Sequence, residues 1–354
     1  MVNLLVAVGF AGRAYIGWAL TASVVGCLAA CSAAGPAPFR LQPASSTWIT
    51  FEGMCDASGA VALSAERFAI ADDEDNVLRI YNTKAGGAPI GSYDVSAALE
   101  LFPKPRKSPN KSPKPPEELD IEAATRIGST AYWLTSHGRN SKAKSKPARL
   151  HFFATTLDDT KGLLQVKHQP YSGLLEALNA DARFKPFALD KAAELAPKTP
   201  GGLNIEGMTA RAGGGVWIGL RNPLINGRAL IFSLNNPEAV VQGAAPEFGD
   251  PMLLDLAGRG IRALSSWRGH YLLVAGVING DAASQLYRWD DKTNAVTPLY
   301  TFDVGQFNPE AFHTPEDSNT ILIISDDGTR EIDGMECKDL PDNNRKRFRA
   351  WSFQ

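Results

Sequence analysis

A short phrase recurs along the chain: Phe51-Glu52-Gly53-Met54, Ile121-Glu122-Ala123-Ala124, Ile205-Glu206-Gly207-Met208, Ile261-Arg262-Ala263-Leu264 and Pro309-Glu310-Ala311-Phe312. Repetition over tens of residues constrains a fold more than any other pattern, because every copy must build the same unit and stack it on its neighbours. Four of the five copies carry Glu at one position. Each phrase leads through a turn-rich stretch into an apolar strand: Arg67–Asp72, Tyr132–Ser136, Val216–Leu220, Tyr271–Ala275 and Ile321–Asp326. From the Glu position to the aligned strand end the offsets are 20, 14, 14, 14 and 16 residues.

A third alternating strand follows in each unit, as Val77–Tyr81, Arg149–Phe153, Ala229–Ser233, Gln285–Trp289 and Arg347–Trp351. A weaker fourth lies at Ile90–Val95, Leu163–His168 and Val296–Phe302. Tandem four-stranded units read as the blades of an all-β fold, a single β-propeller over residues 45–354. Five repeats predict five blades; six would need a degenerate blade hidden in the long second unit. The last unit lacks a fourth strand, and the β-like segment 38–42 is expected to supply it from the amino-terminal side, within a tether and ring-closing region at 32–44. Closing the ring removes free sheet edges. It also sets Cys55 beside the blade that carries Cys337, so these two are expected to form a disulfide, with two unpaired thiols as the alternative.

Successive phrases are 70, 84, 56 and 48 residues apart, against roughly 40–50 for common propeller repeats. The excess sits in two insertions. Residues 104–118 form a Pro- and Lys-rich loop that cannot build a core and reads as a disordered, solvated linker. Residues 172–197 place leucines and alanines at helical spacing and predict a short helical insertion capping one face of the ring.

Residues 1–31 read as a lipoprotein-type signal peptide. A single charge, Arg13, precedes an apolar run that ends in Leu28-Ala29-Ala30-Cys31-Ser32. That ending resembles a bacterial lipobox and implies acylation at Cys31; an uncleaved membrane anchor is the alternative. The expected location is the cell envelope, lipid-anchored and periplasm-facing, at the outer membrane given Ser32 after the cysteine. A lipid anchor would be the only membrane attachment. With 36 Lys plus Arg against 38 Asp plus Glu, no bulk charge points to nucleic acid. A monomer is expected.

If each phrase opens the strand lining the channel, Glu52, Glu122, Glu206 and Glu310 converge. Gathered carboxylates raise one another's pKa unless a cation lies among them. Ca²⁺, with Mg²⁺ the second choice, suits several carboxylates at flexible geometry; alternatively Arg262, the fifth member, neutralises the ring itself. The strand ends add Asp72 and Asp326 to the metal set. His137, Arg139 and Arg221, with Arg262, form a candidate catalytic set, since guanidinium groups receive oxyanions and an imidazole moves protons near neutral pH. The remaining histidines lack the spacing of a zinc site.

The Ile-Glu-Gly-Met phrase, the recurring Glu and the leader resemble an uncharacterised family of bacterial exported β-propellers, itself similar to phytase-like and esterase-like propellers. The resemblance covers about residues 45–354. It implies a small anionic ligand and a metal-dependent phosphoester hydrolase; the rival is a non-catalytic ligand-binding or assembly module of the envelope. Calcium-dependent phytases have six blades and a denser acidic cluster, a departure from the five repeats and the Arg found here.

Overall fold

The computed structural model describes residues 39–103, 114–158, 163–280 and 282–354. The proposed leader with its Cys31 and most of the basic loop, residues 104–113, lie outside the described residues.

The first strand, β1 (Ile49–Glu52), belongs to the last blade. Blade 1 is then β2 (Ala57–Ser64), β3 (Arg67–Asp72), β4 (Val77–Asn82) and β5 (Gly91–Asp94). Blade 2 is β6 (Ile121–Ile127), β7 (Thr130–Thr135), β8 (Phe152–Asp158) and β9 (Leu163–Tyr171). Blade 3 is β10 (Asn204–Ala210), β11 (Val216–Ile225), β12 (Arg228–Leu234) and β13 (Met252–Leu254). Blade 4 is β14 (Gly260–Trp267), β15 (His270–Gly276), β16 (Gln285–Asp290) and β17 (Ala295–Thr301). Blade 5 takes β18 (Pro309–His313) and β19 (Ile321–Ser325), passes a small hairpin of β20 (Glu331–Ile332) and β21 (Met335–Glu336), and continues in β22 (Arg347–Phe353) with β1 outside it. The protein is a single five-bladed β-propeller, and β2, β6, β10, β14 and β18 pack side by side around the axis.

Closure follows the expected principle at a shifted place. The sheet partner of β22 is Ile49–Glu52, while 42–44 extend the same edge through a Pro43–Phe353 bridge and paired Gln42–Gln354 backbone bonds of 3.0 Å. Phe51 is the reason. Fully buried, it stacks on Phe348 at 4.9 Å and meets Phe68 and Tyr81 edge-on, joining blade 5 to blade 1. The Phe51-Glu52 phrase is therefore an outer strand that imitates an inner one.

Apolar seams hold neighbouring blades together. Leu78, Ile80, Trp133 and Phe153 fill the seam of blades 1 and 2, and Trp217, Leu273 and Trp289 that of blades 3 and 4. At Gly59 an added Cβ would lie 2.6 Å from the Ala123 backbone, so only glycine lets β2 approach β6 this closely. The insertion forms α1 (Leu174–Ala180) and α2 (Leu189–Ala192). Its Leu174, Leu178, Phe184 and Leu189 are packed into the seam of blades 2 and 3 with Phe152 and Phe232. A further helix, α3 (Pro237–Val241), links β12 to β13. In blade 2 the third strand begins at Phe152, later than expected, because Pro147–Leu150 is a 3₁₀ turn. No helix among the described residues is long and apolar enough to cross a membrane.

Candidate functional site

Every inner strand breaks its register near its start. Ile121 pairs with Thr135 and Ala123 with Leu134, so Glu122 is an extra residue; Glu206, Arg262 and Glu310 are extra in the same way. In blade 1 the break falls between Ala57 and Ala60. A bulge leaves one residue outside the ladder and re-aims its side chain. Five such breaks at one end of five inner strands gather Ser58, Glu122, Glu206, Arg262 and Glu310 at one mouth of the channel. Ser58, not Glu52, is the fifth member, and its hydroxyl donates to Glu122 Oε2 at 3.1 Å. Glu52 is a correction to the expected ring: it lies on β1, partly exposed, and pairs with Arg347 at 3.3 Å.

The mouth divides into two chemically different halves. In blades 3 to 5 the ring glutamates have amide and guanidinium partners, although Glu206 Oε2 is buried without a hydrogen bond among the described residues. Arg221 donates to Glu206 Oε1 at 2.7 Å, and Asn204 donates to the same oxygen at 2.6 Å. Arg262 pairs with Glu310, donates to the Asn308 side chain, and stands 3.9 Å from Glu206 Oε2. Arg349 forks onto Asp327 through two 2.7 Å bonds. Burial and the neighbouring Arg221 pull the Arg262 guanidinium down to about 10. Glu206 and Glu310 are thus held by guanidinium groups rather than left open as ligands, and the alternative in which Arg262 neutralises the ring describes this half.

In blades 1 and 2 carboxylates meet carboxylates. Asp56, Asp72 and Asp73 each offer an oxygen within 4.8 Å of the others, and Asp73, Asp120 and Glu122 do the same, with Asp73 shared. Burial, then the charges of Asp326, Asp72 and Glu74, raise Asp56 to about 8. Burial and Asp75 raise Asp72 to about 7. Asp73 and Glu122 go well above the ordinary range, again chiefly through burial, with Glu122 acting on Asp73 and Glu206 on Glu122. Asp120 reaches about 6 although Arg149 donates to it at 2.8 Å. Asp73 Oδ1 is buried with no hydrogen-bond partner among the described residues.

Asp326 stands where the halves meet. It accepts from Asn308 at 3.1 Å and from the Gly328 backbone at 2.8 Å, burial raises its pKa, and its charge acts on both Asp73 and Arg262. Gly328 is tight against Asp56: an added Cβ would collide with Asp56 Oδ1. A disulfide between Cys55 and Cys337, with Cα atoms 5.8 Å apart, fixes this contact, and the Asp327 N–H donates to the Cys55 carbonyl at 2.9 Å. Beside the cationic half opens a cavity of about 440 Å³, lined by Arg221, Arg262, Arg330, Arg349, Glu310 and Asp326 among others. Among Glu122, Glu206, Glu310 and the residues that follow them in the inner strands lies a small void of about 20 Å³, room for about one water.

Two expected catalytic residues lie elsewhere. The His137 ring is buried, its Nδ1 is 2.8 Å from the Thr135 carbonyl, and burial lowers its pKa to about 4, so it is neutral at pH 7. Arg139 donates to the Ala193 carbonyl at 2.7 Å and ties down the helical insertion. Neither residue lines the cavity. The residues missed were Ser58, Asp56 and Asp120, and a signal for them exists. Counting the common offset of 14 back from Asp72 lands on Ser58, and the residue two before each ring position reads Asp56, Asp120, Asn204, Gly260 and Asn308.

Residues 143–303 match a family described as "Protein of unknown function (DUF3616)", a stretch running from the loop after β7 to just past β17. No curated protein matches the chain. Among solved structures the chain is similar to the glutaminyl cyclase of Myxococcus xanthus, at 10% identity and a TM-score of 0.45, over 89% of this chain and 95% of that one. It is also similar to the PQQ-bound aldose sugar dehydrogenase of Streptomyces coelicolor, at 11% identity and a TM-score of 0.45, over 91% and 99%.

Proposed function

We propose that the protein is a divalent-cation-dependent phosphoester hydrolase whose cation, Ca²⁺ before Mg²⁺, is held by Asp56, Asp72, Asp73, Asp120 and Glu122, and whose anionic substrate enters the arginine-lined cavity. The observation that carries this reading is the split mouth: buried carboxylates short of a cation adjoin guanidinium groups that face open space, with Asp326 between them. Carboxylates packed so closely favour a hard ion that accepts several oxygens at flexible geometry. A bound cation there would supply Lewis-acid polarisation of a phosphoryl oxygen. Arg221 and Arg262 are placed to receive the remaining oxyanions, with Glu206 and Glu310 holding their forks in position.

The apolar leader and Cys31 support export and lipid anchoring at the outer membrane, facing the periplasm, and the Cys55–Cys337 disulfide is the kind of bond that persists in such a compartment. The phytase-like resemblance contributes only the general chemistry of metal beside anion.

Thermal unfolding of the purified protein in EDTA and under a Ca²⁺ titration tests the reading. Ion at 100 times its Kd stabilises by about 2.7 kcal/mol, a rise of a few degrees for a domain of this size. The rise disappears in Asp73→Asn and Glu122→Gln. Phosphate release from phosphomonoesters then needs the cation and is lost in Arg262→Met. A flat Ca²⁺ titration combined with EDTA-insensitive anion binding would leave a non-catalytic binding module as the better description.

A further inference from the structure

The carboxyls of the acidic half fall into two groups rather than one. Asp56, Asp72 and Asp73 offer oxygens within 4.8 Å of one another, and so do Asp73, Asp120 and Glu122. Among the described residues no such group of three holds Asp56 or Asp72 together with Asp120 or Glu122. Ligand oxygens lie about 2.3–2.6 Å from Ca²⁺, so two oxygens on one ion are about 5 Å apart at most. As the side chains stand, a single ion therefore reaches one group or the other. Only Asp73 belongs to both.

The hydrogen bonds around the groups fit ligands that are already oriented. Asp72 Oδ1 accepts from the Glu74 N–H at 2.9 Å, Asp120 Oδ2 from Arg149 at 2.8 Å and Glu122 Oε2 from Ser58 at 3.1 Å. Each of these carboxyls is steadied from outside its group, as ligating carboxylates are. Asp73 differs. Its N–H donates to the Asp56 carbonyl at 3.1 Å, which pins the shared residue beside the first group, while its Oδ1 is buried with no hydrogen-bond partner among the described residues. A buried carboxylate oxygen without a donor calls for a proton or an ion. Charge leads the same way. Of the charges on Asp56, Asp72, Asp73, Asp120 and Glu122, one divalent ion answers two and a pair answers four, and Arg149, beside Asp120, is shared with Glu118.

We infer that the mouth holds two divalent cations, one on Asp56, Asp72 and Asp73 and the other on Asp73, Asp120 and Glu122, with the Asp73 carboxylate as their bridge. This rests on the cation reading above and adds its stoichiometry. Paired ions of this kind clamp the attacking and leaving oxygens of an in-line displacement.

Equilibrium dialysis of the EDTA-stripped full protein against radioactive Ca²⁺ counts the ions. Two per chain are expected, one in Asp56→Asn, and neither at the same free Ca²⁺ in Asp73→Asn, with the fold of each variant checked by near-ultraviolet circular dichroism. One ion in the unsubstituted protein overturns the pair and leaves a single-cation site standing. An ion retained in Asp73→Asn, or the loss of both in Asp56→Asn, overturns the division around a shared Asp73. No binding at all overturns the cation reading and the pair together. Mn²⁺ in place of Ca²⁺ gives a reading that needs no variant. Two ions on one carboxylate broaden each other's electron paramagnetic resonance signal, and the sharp spectrum of isolated ions at full loading overturns the bridge.

Discussion

Blades 1–2 and blades 3–5 build the same mouth from the same backbone device and reach opposite electrostatic outcomes. In both, a bulge turns one residue of the inner strand into the channel. In blades 3 and 5 the residue two positions earlier is Asn204 or Asn308, which donates to its own glutamate, and Arg221 and Arg262 complete the neutralisation. In blades 1 and 2 that position is Asp56 or Asp120, a carboxyl set among other carboxyls, with Arg149 2.8 Å from Asp120. The change from amide to carboxylate at one repeat position separates a half whose glutamates have donors beside them from a half in which carboxyls face carboxyls. A buried ion pair is kept by its partner; a buried carboxylate cluster is kept by protonation or by metal.

The contrast can be broken most severely in the cationic half. Arg221→Met strands Glu206 in a buried setting and should lower stability by about 3–5 kcal/mol, read from the urea midpoint. A loss below about 1 kcal/mol would mean that Asn204 and Arg262 suffice, and that the half is less dependent on its arginines than the geometry indicates. Cutting the joint between the halves comes next. Removing the Cys55–Cys337 bond by paired Ser substitutions should cost about 2–5 kcal/mol, and because Cys55 adjoins Asp56, the Ca²⁺-dependent rise in Tm should weaken as well.

The acidic half makes a prediction about pH. A carboxylate whose folded pKa is raised binds more protons folded than unfolded, so its contribution is present below the ordinary carboxylate range and is lost as pH rises through the folded value. With Asp72 at about 7 and Asp56 at about 8, stability in EDTA should fall between about pH 4 and pH 8. Saturating Ca²⁺ should flatten that slope, and Tm measured across the interval in both conditions checks it. The smallest effect is the sharpest in sign. Asp73→Asn should raise stability in EDTA by about 1 kcal/mol through relief of like-charge repulsion, whereas the equivalent amide change Glu206→Gln in the other half should lower it. Two changes of the same sign would erase the distinction between the halves.

Much of the architecture was legible because repetition exposes it. The second strands Arg67–Asp72 and Val216–Leu220 fall where alternation and apolar run length place them, and the insertion at 172–197 does form short helices. The error at Glu52 came from matching four letters. Phe51-Glu52-Gly53 imitates Ile205-Glu206-Gly207, but an outer strand that needs an aromatic for the closing seam and an inner strand that needs a bulge carboxylate can share those letters for different reasons. The offset of 20 residues against 14 was the visible warning. His137 and Arg139 do not join the cavity because their side chains are taken up locally, His137 by the Thr135 carbonyl and Arg139 by the Ala193 carbonyl of the helical insertion.

The sequence by itself determined that the chain repeats a four-stranded unit five times, that the ring is completed from its amino-terminal side, and that carboxylates recur at a fixed place in the unit. These are local properties: side-chain period, strand length and repeat spacing are written in neighbouring residues. Which carboxylates remain without a counter-charge was decided only by the tertiary structure. Asp56 precedes β2, Asp73 follows β3 and Glu122 lies in β6, and the Arg that could have answered them, Arg262, is turned to Glu310 and Glu206 instead. Charge balance in a buried site is a sum over partners brought together by closure, and Coulomb energy depends on distances in space that no spacing along the chain specifies.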